Sequence, residues 1–435
     1  MNNLIEKIEE HILSGCTHKE NRAVGVEIES IIYNKRGERI PVDSKKEFSA
    51  SDFIHMIDSE CKDHHSFVTC SLEPGGQVEW ASKPAFTIHE LNHELNGVKK
   101  AVESVCSEME LTVVDLGLDP IYTPDDIKLI NQKKYQLMHK RFTLSGHHGP
   151  WMMRNTASVQ VNIDLLDKQD AEECGFIAEC ISPFAAMLFS NAPFKENQPV
   201  GFENMRYQIW EDTDPSRCGH FIDHGITSMS GLLTQYSSYI LEVPIIFTTP
   251  DKQNEAGYFD GTINEWLNDL NEKNELTDED IKVSLHQIFT HNRFKKVLEI
   301  RTADRPPHGY ELAPVAFWIG LMEKGKVRES LLESLTRWTE TERIEMNQKA
   351  STFDISRDGP MDKSILHWLE WFAEIAYEGL NVRASRLNIQ TEKTYIEPLI
   401  NNIFSNGIFS LQFQDKFSKQ NKSVKDFILS KAYHD

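Results

Sequence analysis

Val24-Gly25-Val26-Glu27-Ile28-Glu29 is short, apolar and rich in β-branched residues, and it reads as a β-strand. Side chains alternate along a strand, so Val24, Val26 and Ile28 take one side and Glu27 and Glu29 the other. The first set can pack on a core. The second sets two carboxylates side by side, with no Lys or Arg between them.

The pattern returns at three later places. In Gln77-Val78-Glu79-Trp80, Gln77 and Glu79 share a side. In Ser158-Val159-Gln160-Val161-Asn162-Ile163-Asp164, the apolar side is Val159, Val161 and Ile163, and the polar side is Gln160, Asn162 and Asp164. In Lys296-Val297-Leu298-Glu299-Ile300-Arg301, Glu299 and Arg301 oppose Leu298 and Ile300. Placed in one sheet, these strands give one apolar face and one face lined mainly with oxygen ligands. Carboxylates that close repel, and they stay ionised together only beside positive charge. A hard divalent cation such as Mg²⁺ meets that need with carboxylate and amide oxygens. On this reading, neutralising Glu299 removes a repulsion and leaves the metal-free protein no less stable. The competing reading is an antiparallel sheet with a solvated outer face; the scarcity of Lys on these faces favours the metal.

The 435 residues suffice for one large domain or two to three ordinary ones. The composition, 40% hydrophobic and 26% charged, is that of a globular protein. A net charge of −21 argues against a nucleic-acid partner, which needs clustered Lys and Arg. It leaves room for anionic nucleotides held by local Arg and metal ions. Residues 1–10 are acidic and amphipathic and show no signal peptide. The longest apolar runs, residues 181–194 and 313–322, are too short or too broken to span a membrane. Seven cysteines, an odd number without a Cys-x-x-Cys pair, imply reduced thiols and a cytoplasmic protein. Cys218, in a polar stretch, stands out from thiols that otherwise serve as small buried hydrophobes.

Along the chain, residues 3–13 have helical spacing, and residues 34–53 read as a hairpin or loop followed by a short helix. Pro74-Gly75-Gly76 is a turn into the second acidic strand. Residues 85–109 read as a long helix, 112–116 as a strand and 170–190 as an apolar helix. His147-His148 lacks further ligands at zinc spacing and reads instead as a glycine-flanked loop near a site. Beyond residue 326 the pattern is helical, with segments near 328–345, 363–380, 396–404 and 424–431. The expectation is one α+β catalytic domain over 1–435, with a sheet-containing core at 1–325 and a helical C-terminal part at 326–435.

Several stretches, in order and over most of the chain, resemble the plant-type glutamate–cysteine ligase family. They are Gly25 to Glu29, Ser71-Leu72-Glu73-Pro74-Gly75-Gly76-Gln77-Val78-Glu79, Thr156 to Asp164, Met205-Arg206 with Ile209-Trp210, and Asp212-Thr213-Asp214 with Arg217 and Gly219. Tyr236 and Tyr239 before Glu242-Val243-Pro244, and Leu298 to Arg301 with Ala303-Asp304, complete the set. The resemblance implies a glutamine synthetase-like fold, with an antiparallel, open-barrel funnel of sheet surrounded by helices. It implies an enzyme of glutathione synthesis that joins the γ-carboxylate of L-glutamate to the amine of L-cysteine. ATP and Mg²⁺ are the implied cofactors, and the assembly a monomer or homodimer. It implies metal ligands at Glu27, Glu29, Glu73, Glu79, Gln160 and Glu299. Catalytic roles fall to Arg301, Glu299 and Arg217, and nucleotide contacts to Arg301, Asn162 and Asp304. Glutamate is implied at Arg217, with Arg206, Trp210, Tyr236, Tyr239 and Met153 around the substrates.

The chain departs from the family pattern at Arg305-Pro306-Pro307, where a Gly-Gly pair is usual, and at the His147-His148 loop. Arg154 stands one position off the expected arginine, which on a strand would reverse its face. A γ-glutamyl ligase for another amine is therefore the near alternative, and a non-catalytic glutamate or nucleotide sensor the distant one. A phosphotransferase shares the metal logic but lacks a reason for the motif around Arg217.

Overall fold

The first strand, β1 (Val24–Asn34), alternates buried and half-buried side chains through Glu27, as its sequence requires. The computed structural model describes residues 2–63, 69–249 and 255–431. β2 (Thr69–Leu72), β3 (Val78–Ala81), β4 (Leu111–Val114) and β5 (Ser158–Asp164) follow β1 in the chain. Two short pairs come next: β6 (Phe194–Lys195) with β7 (Gln198–Pro199), and β8 (Cys218–Gly219) with β9 (Phe289–Thr290). β10 (Asn292–Phe294) and β11 (Val297–Asp304) close the series.

The main sheet runs β10-β11-β5-β1-β3-β2, with β4 pairing the far end of β1. All its pairings are antiparallel. It is an open sheet, ending at β10 and β2. Registers place Glu27 opposite Gln160, Glu29 opposite Glu79, and Glu299 opposite both Asn162 and Arg293. Five strands from four separate regions of the chain thus pool their polar side chains on one face. A register shift between Ile300 and Ala303 bends β11 beyond Arg301.

The opposite face is apolar. Val26, Val159, Val161, Ile163, Leu298 and Ile300 are at most 1% exposed. Each such side chain contributes roughly 1.5–3 kcal/mol of transfer free energy. They share a core with α6 (Lys168–Leu188), buried without a break from Cys174 onward and packed on β11. Asp167 caps α6 by accepting the Asp170 N–H at 2.7 Å. Other elements before and around it are α1 (Asn2–Leu13), α2 (Ala50–Asp63), α3 (Ile88–Met109), α4 (Lys133–Ser145) and α5 (Gly149–Asn155). α7 (Met205–Glu211) and α8 (Leu232–Glu242) follow.

The C-terminal part is helical, and it joins the same core. The wholly buried helix Ala313–Leu321 packs along Ile365–Leu387. A side chain at Gly379 would overlap the Gly320 carbonyl, so this close crossing needs glycine at both positions. Residues 328–345 are two helices, Lys326–Leu335 and Glu340–Lys349, instead of one. Thr339 and Glu342 form a capping box that starts the second. The helix Phe409–Ser418 has no counterpart in the sequence reading. Arg154 lies in α5, so a one-step reversal along a strand does not arise; its Nη1 donates to Pro124 O at 2.8 Å. Cys218 is 2% exposed, and burial pushes its thiol up to about 12, which removes it as a reactive loop cysteine. All seven cysteines are free.

Candidate active site

The polar face of the sheet borders a cleft of about 280 Å³. β1 supplies Glu27 and Glu29, the turn before β3 supplies Glu73, and β3 supplies Glu79. That turn forms because Gly76 takes a φ of +79°, open to glycine at little cost. Gln77 locks it by accepting the Gly75 N–H at 3.1 Å and donating to Thr156 O at 2.9 Å. α7 carries Arg206 and Trp210 to the cleft, and α5 carries Met153. Gln160 and Arg301 come from β5 and β11.

Glu29, Glu73 and Glu79 converge, each offering an oxygen within 4.8 Å of the others. Glu29 accepts from the Ser158 N–H at 2.7 Å and from Gln160 Nε2 at 3.1 Å, and Glu79 from Ser71 Oγ at 3.0 Å. These bonds do not neutralise three charges. Burial, and then repulsion by one another, raises Glu29 and Glu73 to about 7 and Glu79 to about 8. A triad of carboxyl oxygens short of positive charge fits a hard divalent cation. Glu27 stands beside it, accepting from Asn162 Nδ2 at 3.0 Å.

Glu299 differs. It is fully buried, and its carboxylate is held by Arg293, Lys295 and Arg301. Burial acts to raise its pKa, but these cations outweigh burial and hold it well below the usual carboxylate range. It is absent from the converged triad. The structure therefore supplies Glu299 with cations of its own, contrary to the expected repulsion, and gives it the task of orienting Arg301. Arg301 also donates to Gln160 Oε1 and lies over the Trp210 ring, 5.2 Å from its centre.

Four expected site residues lie away from the cleft. Arg217 is fully buried, and its guanidinium is consumed by Asp214 (2.8 Å), Gln287 O (3.1 Å) and Pro244 O. All three of its nitrogens donate within the protein, and with no exposure it does not border the cleft where a glutamate carboxylate would sit. Tyr239 donates to Ser216 O at 3.1 Å and stacks on His224, and Tyr236 accepts the Phe294 N–H in the core. Asp304, 2% exposed, holds Arg206 Nη1 at 3.4 Å and the Asn191 N–H at 2.7 Å, so it places Arg206 instead of touching a nucleotide. Asn162 lines an adjoining cavity of about 380 Å³ that shares Glu27, Ala81, His286 and Lys295 with the cleft.

The cleft also holds cations not anticipated. Arg293 and Lys295 alternate through β10 toward β11, and the period-two rule applied to Glu299 would have found them. Lys134 and Tyr135, at the start of α4, carry no such signal. Burial lowers the Lys134 pKa, with Glu73 acting against it. The His147-His148 turn sits outside, with His147 Nδ1 2.9 Å from Asp212 Oδ2. Arg305, in place of glycine, ties Asp115 to Glu311. A more apolar cavity of about 340 Å³, lined by Phe53, Trp80, Cys70 and Cys106 among others, has no converged carboxylate triad among the described residues.

An open antiparallel sheet thus brings a carboxylate cage and two arginines to one cleft. Residues 23–412 match the family model described as glutamate–cysteine ligase family 2, and the chain belongs to that family. It is a ligase, and its reaction is formation of γ-glutamylcysteine. Glutamate–cysteine ligase A of Oryza sativa subsp. indica is 29% identical over 378 residues, 81% of this chain and 74% of that protein. The glutamate–cysteine ligase of Brassica juncea is 32% identical over 346 residues, 76% of this chain and 65% of that one. Among solved structures, glutamate–cysteine ligase of Francisella tularensis in complex with AMP superposes with a TM-score of 0.57 at 13% identity, covering 96% of this chain and 89% of that one. At that identity the likeness speaks for the fold.

The cytoplasmic placement expected from the thiols is overturned here. The plant relatives from Oryza sativa, Brassica juncea, Nicotiana tabacum and Arabidopsis thaliana are chloroplastic proteins. Free thiols show that no disulfide forms; they carry no address. Among the described residues, no helix is long and apolar enough to cross a membrane.

Proposed function

We propose that the ligation runs through ATP-dependent phosphorylation of the L-glutamate γ-carboxylate, with L-cysteine as the amine that displaces phosphate. The observation that carries this reading is the undercompensated triad Glu29, Glu73 and Glu79 facing Arg206, Arg301 and Lys134 across one cleft. Amide formation in water is uphill, and phosphorylation turns the carboxylate oxygen into a leaving group. Glu29, Glu73 and Glu79 would hold Mg²⁺, with Glu27 and Gln160 beside them; bound Mg²⁺ supplies neutralisation of the charge on the phosphates. Arg301, oriented by Glu299 and Gln160, stabilises the phosphoryl oxygens. Arg206 takes over the glutamate contact once expected of Arg217: it lines the cleft, and its Nε is buried without a partner. Trp210 and Met153 wall the substrates. The adjoining cavity beyond Glu27, with Asn162 and Lys295 on its rim, offers room for the nucleotide base, so the polar face works as a funnel. Residues 1–325 and 326–435 act as one catalytic unit, which the core shared from Leu4 to Ile428 supports.

The test is phosphate release from ATP and Mg²⁺ with glutamate and a panel of amines. Turnover should require glutamate and be fastest with L-cysteine. Fast turnover with another amine and almost none with cysteine would discard the acceptor assignment and keep the fold.

A further inference from the structure

Outside the cleft, three side chains from separate segments converge. Glu211 ends α7, His220 follows β8, and His291 lies between β9 and β10. Their ligand atoms lie within 4.8 Å of one another. His291 Nε2 is 2.8 Å from Glu211 Oε1. His220 Nε2 is 2.7 Å from the Tyr207 hydroxyl, which is also 2.9 Å from Asn347 O.

The hydrogen bonds of this cluster do not close. Tyr207 has one proton. If it goes to Asn347 O, His220 Nε2 must carry the other and Nδ1 is bare. If it goes to His220, Asn347 O loses its donor. In either case His220 Nδ1 and Glu179 Oε2 are buried, without a partner, 3.9 Å apart. Unpaired buried polar atoms cost about 1–3 kcal/mol each, so such a pair needs a cause. A metal on His220 Nε2 provides one: it takes the place of the Tyr207 hydrogen bond and leaves the Tyr207 proton to Asn347 O. It forces the imidazole proton onto Nδ1 and turns it toward Glu179, the carboxylate–histidine–metal relay common behind metal-bound imidazoles.

We propose that Glu211, His220 and His291 form a binding site for one Zn²⁺ ion, with Glu179 as the carboxylate behind His220. Two imidazoles and a carboxylate are a donor set Zn²⁺ favours over Mg²⁺. The Glu211 side chain, 32% exposed, gives the ion a way in and leaves a position for water. Its role is to position, not to react. The ion would tie α7, which carries Arg206 and Trp210, to the strand linker whose His291 carbonyl accepts the Arg301 N–H at 2.9 Å. Both arginines of the cleft would then be fixed from behind.

The test strips the full chain of metal, then titrates Zn²⁺, and separately Co²⁺ as a spectroscopic probe, in a large excess of Mg²⁺. One equivalent should bind tightly and raise the melting temperature, and Co²⁺ should give the visible bands of a low-coordinate nitrogen–oxygen site. Glu211→Gln, a partly exposed change that spares the fold, and His291→Gln should each weaken uptake about a hundredfold. Glu73→Gln, in the carboxylate triad, should leave uptake unchanged. Absence of a tight equivalent in the unaltered protein would overturn the assignment. So would undiminished uptake in both Glu211→Gln and His291→Gln, or loss of uptake in Glu73→Gln.

Discussion

Glu299 and the triad Glu29, Glu73 and Glu79 gather at one polar face of the sheet and look alike in sequence, yet they are opposite in electrostatic state. Glu299 is surrounded by Arg293, Lys295 and Arg301 and stays ionised. The triad lacks such partners and holds protons to near neutrality. Burial is common to both and does not separate them. The nearby charge does, since opposite charges within a few ångströms can offset the cost of desolvation. A fixed ion pair is an orienting device; an undercompensated cage is a place for a mobile cation.

The largest effect should come from breaking the compensated corner. Glu299→Gln leaves three cations without their anion and is expected to lower stability by about 3–5 kcal/mol, the usual cost of breaking a buried pair. Denaturant melts without metal measure it. A midpoint that stays put or rises would return Glu299 to the repelling set. Next is Glu79→Gln, which relieves repulsion and removes a cation ligand. Turnover should fall at least about a hundredfold, or ~2.7 kcal/mol, while the metal-free protein melts no lower than the parent at pH 8. Near-normal turnover would show that the cage is only a solvated face.

pH separates the two corners without mutation. The triad's pKa values lie above the unfolded value, so the folded state binds more protons than the unfolded state between about pH 4.5 and 8. Their contribution is fully present below pH 4.5 and is lost as pH rises to about 8, by up to about 1.4 kcal/mol per pH unit for each group. Glu299, with its pKa depressed, contributes stability above pH 4.5 that is lost as pH falls further. Mg²⁺ must displace the triad's protons, so the Mg²⁺-induced rise in melting temperature should be larger at pH 8 than at pH 6. An equal rise at both would remove protons from the cation's binding reaction. The smallest effect is expected on substrate binding by Arg217→Lys: the glutamate KM should move less than about twofold, or ~0.4 kcal/mol, although the melting temperature falls as the buried fork is lost. A tenfold rise in KM at unchanged stability would bring Arg217 back to the substrate.

Much of this molecule is readable from local pattern. Alternation along Val24 to Glu29 gave the buried and polar faces of β1, and turn chemistry placed Glu73 beside Glu79. Helical spacing located Asn2–Leu13 and Ile88–Met109 to within a few residues. The reading of residues 328–345 as one helix missed the break at Thr339, although a Thr-x-x-Glu capping box marks it. These features are local because side-chain direction and backbone capping depend on a residue and its near neighbours.

Charge state is not local. Arg217 sits in a motif rich in acids and reads as a substrate grip, but Gln287 and Pro244, distant in sequence, supply the carbonyls that consume it. Lys134 reaches the cleft from a helix with no distinguishing pattern. Asp304 and Cys218 become core residues only when other elements close over them. The sequence alone determined which faces carry the acids and which family the chain resembles. Only the tertiary structure decided which acids have cations and which wait for one, because Coulomb energy follows distance in space and the local dielectric, neither of which is written along the chain.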